Sequence, residues 1–160
     1  MEPVNESELD WTDRERGETN FRRKQLGEAA GSEQLGASLY ELPAGTRSWP
    51  YHYHTANEEA LYVLSGTGTL RLGGDEYELR EGDYVPLPAN EAGGHRVIND
   101  GDDYLRYLAV STMNEPDVTV YPDSEELGVF VGAPPGGREE RSLHGYYRID
   151  DDVPYWEDED

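Results

Sequence analysis

From residue 37 to residue 131 the chain breaks into apolar segments of three to eight residues, each closed by a turn signal. Ala37-Ser-Leu-Tyr-Glu-Leu-Pro43 opens the series by strict alternation. Leu61–Leu64, Thr69–Leu72, Tyr77–Leu79, Tyr84–Leu87, His95–Ile98, Tyr104–Ser111, Val118–Tyr121 and Leu127–Val131 follow. Between them stand Ser65-Gly66, Gly73-Gly74-Asp75, Glu81-Gly82-Asp83, the longer Pro88–Gly94 loop and Asn99-Asp100-Gly101. A helix that buries one face needs ten or more residues, whereas a half-buried strand needs only four to eight. The spacing therefore predicts an all-β barrel or sandwich.

The flanks read differently. Residues 1–35 are polar and mixed in charge, with Trp11 and Phe21 as the only large aromatics. They predict an irregular N-terminal arm docked by those two side chains, with a short helical turn near residues 22–30. Gly132-Ala-Pro-Pro-Gly-Gly137 reads as a loop or linker. It opens a C-terminal extension over 132–160, in which His144–Ile149 predicts one more strand. Pro154-Tyr-Trp156 is expected to pack on the barrel, and the acidic runs at 150–152 and 157–160 to be solvated. The β-barrel itself is expected over 36–131.

Composition tests this reading. Leu, Ile, Val and Phe make up 18% of the 160 residues, a level that with high net charge usually means disorder. Twelve Tyr and three Trp supply buriable surface that this rule leaves out, and the apolar residues are grouped in strands. Thirteen basic residues against 35 acidic ones give a net charge of −22, and only Lys24 is a lysine. Acidic, lysine-poor, aliphatic-poor composition resembles that of cytosolic proteins of salt-accumulating halophiles, haloarchaea among them. In molar salt the Debye length falls to about 3 Å, so self-repulsion is screened. The thermal midpoint is therefore expected to rise steeply between low and molar KCl; a midpoint flat across that range contradicts the halophilic reading.

The same field repels nucleic acid and anionic membranes, which argues against both as partners. Without cysteine there are no disulfides, thiolate metal sites or thiol nucleophiles. No apolar run is long enough to span a bilayer, and Met-Glu-Pro-Val-Asn-Glu-Ser-Glu is unlike a secretory leader, so a cytoplasmic protein is expected.

Three of the four histidines form a pattern. His52 and His54 stand two apart, so on a strand both imidazoles leave one face and can reach a common point. Glu59 follows after a turn long enough to bring its carboxylate back. His95 opens another strand some 40 residues later. Two or three histidines with one carboxylate suit a divalent Mn, Fe, Co, Ni, Cu or Zn ion. His-x-His alone fits two surface histidines on an edge strand equally well.

The wider spacing adds to this. Gly45, His52, His54, Glu59 and Gly66 resemble the first signature motif of the cupin superfamily, and Gly82, Pro88, His95 and Asn99 the second. Fifteen residues separate Gly66 from Gly82, as in small stand-alone cupins. The resemblance covers roughly residues 36–112. Two departures are visible. Six residues separate Gly45 from His52, and the loop before His95 is lengthened by Ala92-Gly93-Gly94, with Asn90 where the motif has Gly. Gly93 and Gly94 are expected to supply the unusual backbone angles there.

The resemblance implies a jelly-roll (double-stranded β-helix) barrel with one divalent ion per subunit in its mouth, of Mn, Fe, Ni or Zn type, held by His52, His54, Glu59 and His95. Strand parity agrees on its own terms, since Glu59, Leu61 and Val63 share one face and His95, Val97 and Asn99 another. Asn99 is expected to fix a turn, and Glu58 to look outward. His144 is expected to be a surface or packing residue, and Arg47, Arg96 and Arg106 to pair with surplus carboxylates. At least one of Trp49, Tyr51 and Tyr53 is expected to line the mouth.

Cupins include dioxygenases, decarboxylases, isomerases and epimerases, and also non-enzymatic sugar-binding, storage and regulatory proteins. Two functions follow. One is a small metalloenzyme acting on an oxygen-rich small molecule, such as an organic acid, a sugar derivative or a catechol-like compound. The other is a metal-dependent sugar- or acid-binding module without turnover, and a structural metal is a weaker third. No catalytic acid or base is identified. The resemblance also implies a homodimer with arms crossing to the partner.

Overall fold

The computed structural model describes residues 2–137 and 139–157. Its strands, in chain order, are β1 (Thr12–Arg16), β2 (Thr19–Gln25), β3 (Leu35–Leu42), β4 (Tyr53–His54), β5 (Glu59–Ser65), β6 (Thr67–Leu72), β7 (Asp75–Arg80), β8 (Tyr84–Leu87), β9 (His95–Ile98), β10 (Leu105–Thr112), β11 (Asp117–Tyr121), β12 (Glu126–Val131) and β13 (Leu143–Arg148). Among the described residues one α-helix, α1 (Leu26–Ala30), lies between β2 and β3. No helix among the described residues is long and apolar enough to cross a membrane.

All strand pairs are antiparallel. One wall is a six-stranded sheet in the order β1-β2-β3-β10-β5-β8. The facing wall joins β7-β6-β9 to β4-β11-β12-β13 through a backbone bridge between His52 and His95. Alternation along each strand puts one set of side chains between the walls. On β5, Leu61 and Val63 are buried while Tyr62 and Leu64 point out. They join Leu42, Leu70, Leu87, Val97 and Leu105 in one core. Gly66, at φ +90°, makes the tight turn from β5 to β6, where any side chain would run into the Tyr104 carbonyl.

The arm differs from its sequence reading. Residues 12–25 form a regular hairpin, β1–β2, that extends the six-stranded sheet, and the helical turn is confined to Leu26–Ala30. Phe21 is the reason: it is 1% exposed, with its ring 5.2 Å from Tyr40 and 4.9 Å from Trp49. Burying such a side chain contributes about 1.5–3 kcal/mol. On the outer face of β2, Trp11 lies 4.3 Å from the Arg22 guanidinium and 4.5 Å from the Lys24 ammonium, which also binds Glu6 at 2.7 Å. The arm is thus folded onto its own barrel.

The extension follows the prediction through β13 and departs from it at the end. Tyr155 and Trp156 remain exposed at 82% and 68%, with their rings against each other. β13 before them is itself largely exposed, so this end of the chain is not packed into the core. The expected acidic run at 157–160 lies, beyond Glu157, outside the described residues.

Candidate metal centre

His52 occupies the bridge between the two halves of the second wall, and His54 ends β4. The chain then turns through 55–58. Asn57, 3% exposed, pins this turn: its Nδ2 donates to the Asn114 carbonyl, and its Oδ1 accepts from Thr112 Oγ1 and the Asn114 amide. Glu59 is thereby returned to the site at the first position of β5. One nitrogen from each of His52 and His54 and one oxygen of Glu59 all lie within 4.8 Å of one another. His54 Nε2 is 3.1 Å from Glu59 Oε1.

His95 opens β9 beside them, 7% exposed, its ring 4.8 Å from that of His52. It stands next to the three-residue cluster and is not part of it. The lengthened loop before it closes as a 3-10 turn over Glu91–Gly93, capped by Asn90, whose Oδ1 accepts from the Ala92 amide. Its glycines are needed for close approach and not for positive φ. A side chain at Gly93 would strike the Pro88 carbonyl, and one at Gly94 the Tyr51 hydroxyl.

Each of these histidines is fixed through Nδ1. His52 Nδ1 lies 2.7 Å from the Pro50 carbonyl, His95 Nδ1 2.9 Å from that of Gly93, and His54 Nδ1 2.7 Å from Asp117 Oδ2. An acceptor at Nδ1 assigns the proton there and leaves Nε2 as the ligating atom, the usual support of metal-bound histidine. The donor set of imidazole and carboxylate therefore fits a divalent ion.

The electrostatics of the bare cluster agree. Burial, with His95 and His54 close by, pushes His52 down to about 3, so it stays neutral. Burial likewise lowers His95. Burial opposes charge on His54, but hydrogen bonds to Asp117 and Glu59 outweigh it and raise the imidazole to about 10. Burial would raise Glu59, yet the bond from His54 holds it at about 2. The second proton of His54, on Nε2 toward Glu59, thus occupies the place that a cation can take, while the Nδ1 proton stays with Asp117.

Asp117 was not among the sequence candidates. It is fully buried on β11, where Oδ1 also accepts from the Ala56 amide, and Thr119 Oγ1 lies 3.2 Å from His54 Nδ1. Asp117, Thr119 and Tyr121 share one strand face, and the Tyr121 ring is 5.8 Å from that of His52. Burial, then Tyr146, raises the Tyr121 hydroxyl, which keeps its proton.

His52, His54, Glu59, Thr119 and Tyr121 border a cavity of about 490 Å3. Trp49 lines it, as expected of one of the three aromatics; Tyr51 is instead buried, with the Arg71 guanidinium 3.9 Å from its ring centroid. His144, expected to be a surface or packing residue, is exposed and packs its ring 4.6 Å from that of Phe130, where it also borders the cavity. Asn99 fixes a turn, donating to the Leu42 and Asp103 carbonyls, and Glu58 faces outward. Arg47, Arg96 and Arg106 meet Glu18, Glu18 and Glu41 at 3.5, 3.6 and 3.2 Å.

The family model of the cupin domain matches residues 38–111. An uncharacterized protein of Methanocaldococcus jannaschii is 30% identical over 70 residues, covering 44% of this chain and 54% of that protein. Quercetin 2,3-dioxygenase of Bacillus subtilis is 29% identical over 99 residues, 62% of this chain and 29% of the enzyme. The chain thus spans about half of the first relative and under a third of the second. Among solved structures, a proposed sugar phosphate isomerase of Acidithiobacillus ferrooxidans superposes with a TM-score of 0.79 at 28% identity, over 92% of this chain and 90% of that one.

Proposed function

Because this chain is a cupin, with its family barrel over residues 38–111, we propose that it is a small metalloenzyme acting on an oxygen-rich small molecule. His52, His54, Glu59 and His95 hold one divalent ion in the mouth of the barrel. The observation that carries the reading is the cluster of His52, His54 and Glu59 at the edge of a cavity, with a third Nδ1-anchored imidazole, that of His95, beside His52. A bound divalent ion with open positions supplies Lewis acidity to a chelating oxygen. The protein's own residues do the rest. Asp117 and Thr119 orient His54, and Tyr121 offers a protonated hydroxyl. Trp49 and Phe130 give the ligand an apolar wall that excludes water. The likeness to a dioxygenase and to a proposed sugar phosphate isomerase supports an oxygen-rich ligand.

The test begins with metal analysis of untagged protein, since affinity resins introduce nickel and zinc. Loaded and chelator-treated samples are then screened on sugars, hydroxy acids and catechols. About one equivalent of metal, with turnover only in the loaded sample, is the expected result. Ligand binding without turnover would make the chain a binding module, and failure to load any divalent ion overturns the reading.

We further infer a homodimer formed through the outer face of the six-stranded sheet. Tyr62 and Tyr84 stand opposite each other there, 45% and 66% exposed, beside Leu64 at 38%. The sheet edges are guarded instead, by the charged β1 and by Pro86 in β8, which disfavours edge-to-edge pairing. Light scattering in molar salt is expected to give twice the 18.0 kDa of one chain, falling toward 18.0 kDa for Tyr62→Asp with Tyr84→Asp. A wild-type mass of one chain rules the dimer out.

A further inference from the structure

Strand β2 separates its basic residues between two faces. Arg22 and Lys24 point outward to Glu41 and Glu6, each at 2.7 Å. Arg23, with Gln25, points into the cavity that holds the histidine cluster. Among the described residues three arginines have a buried Nε with no hydrogen-bond partner: Arg23, Arg96 and Arg106. Arg96 and Arg106 face Glu18 and Glu41. Among the described residues Arg23 meets no carboxylate; its guanidinium lies only over the Trp49 ring, 5.6 Å from the centroid.

The wall around it reverses the charge of the molecule. Acidic residues outnumber basic ones 35 to 13 in the whole chain. Along the described cavity wall three arginines, Arg14, Arg23 and Arg141, accompany two glutamates, Glu59 and Glu139. Glu59 belongs to the histidine cluster. Arg141 spends Nε and Nη2 on the carbonyls of Ala133 and Pro134, at 2.8 and 3.0 Å. Gln25 Nε2 is likewise committed, to the Gly136 carbonyl at 3.0 Å. Arg14 lies on the fully exposed strand β1, so Arg23 is the inward cation of the described wall that combines a buried Nε with no acceptor. Arg23 is half-buried, but its Nε–H is buried without an acceptor, which is costly, and the guanidinium fork matches a two-oxygen anion.

We propose that Arg23 anchors an anionic group, a phosphate or a carboxylate, on the small molecule that enters this cavity. The inference rests on the cavity being the ligand site, and it adds a second pole to that site. The chelating oxygens of the ligand face His52, His54 and Glu59, and its anionic end faces β2.

The test uses full-length, chelator-treated protein at constant ionic strength in KCl. Inorganic phosphate and acetate are titrated separately by calorimetry. Wild type is expected to bind one anion saturably, and Arg23→Gln to bind it about tenfold or more weakly. Arg23→Lys, which keeps the charge and loses the fork, falls between. Arg80→Gln, exposed on β7, matches wild type. Phosphate bound above acetate identifies a phosphorylated ligand, and the reverse a carboxylic acid. Equal affinity in wild type and Arg23→Gln overturns the proposal, as does the absence of saturable binding of either anion. A melting curve and metal content equal to wild type establish that Arg23→Gln is folded; if it is not, the comparison with Arg23→Lys decides. The His52→Ala variant separates the two readings. Anion binding lost there but kept in Arg23→Gln places the anion on the histidine cluster and sinks only this inference. Failure to load metal with anion binding intact sinks only the metal reading.

Discussion

The His52→Ala, His54→Ala double variant is expected to retain no measurable divalent metal, while His144→Ala keeps a full equivalent. The two imidazoles supply half of the proposed ligand set, and removing them leaves His95 and Glu59, too few donors to fix a divalent ion against water. His144 borders the same cavity, but its ring packs on Phe130 at 4.6 Å and it is no part of the cluster. Metal content after loading and gel filtration checks both variants. Equal metal in the double variant and wild type removes the centre from this site altogether. Because loss of His54 strips Asp117 of its ion-pair partner, the single His52→Ala variant is the control that separates lost ligands from a destabilised fold.

Substitution of Asp117 is the second large effect. The side chain touches no cavity ligand directly; it sets which way His54 faces and which nitrogen carries the proton. Such supporting carboxylates are worth about 10–100-fold in metal affinity, and Asp117→Asn is expected to lose that much while keeping the shape of the side chain. Asp117→Ala should lower stability further, since it leaves His54 Nδ1 and the Ala56 amide without their acceptor at a fully buried position. Competition with a fluorescent chelator measures the first effect and thermal melting the second. Unchanged affinity in Asp117→Asn would show that Thr119 and the backbone suffice to orient His54.

The barrel strands were legible because their period of two is written in apolar residues. The glycines at 66 and 82 mark turns that their backbone angles demand. The cluster of His52, His54 and Glu59 was legible because strand parity and one turn bring them together over eight residues. The β1–β2 hairpin was not, because most of the positions that alternate along it carry charge, and Phe21 alone marks its inner face. Asp117 escaped for another reason. Its partner lies 63 residues away, and pairing between distant strands leaves no local mark. The strand that carries it was foreseen one residue late, at Val118, which hid the face shared by Asp117, Thr119 and Tyr121. His144 reaches the cavity through the antiparallel pairing of β13 with β12, a register that sequence spacing does not encode.

Phe21 has a role beyond its buried area. Moved by one residue along β3, strand β2 would turn every side chain to the opposite face. Arg22 and Lys24 would then enter the lumen, and Arg23 would look outward. The strand is so rich in cations that charge alone distinguishes the two settings poorly. Phe21 distinguishes them well, since only the observed setting hides its ring between Tyr40 and Trp49. One benzyl group thus acts as the phase pin of the strand, and the polarity of the cavity wall is decided by a residue that carries no charge.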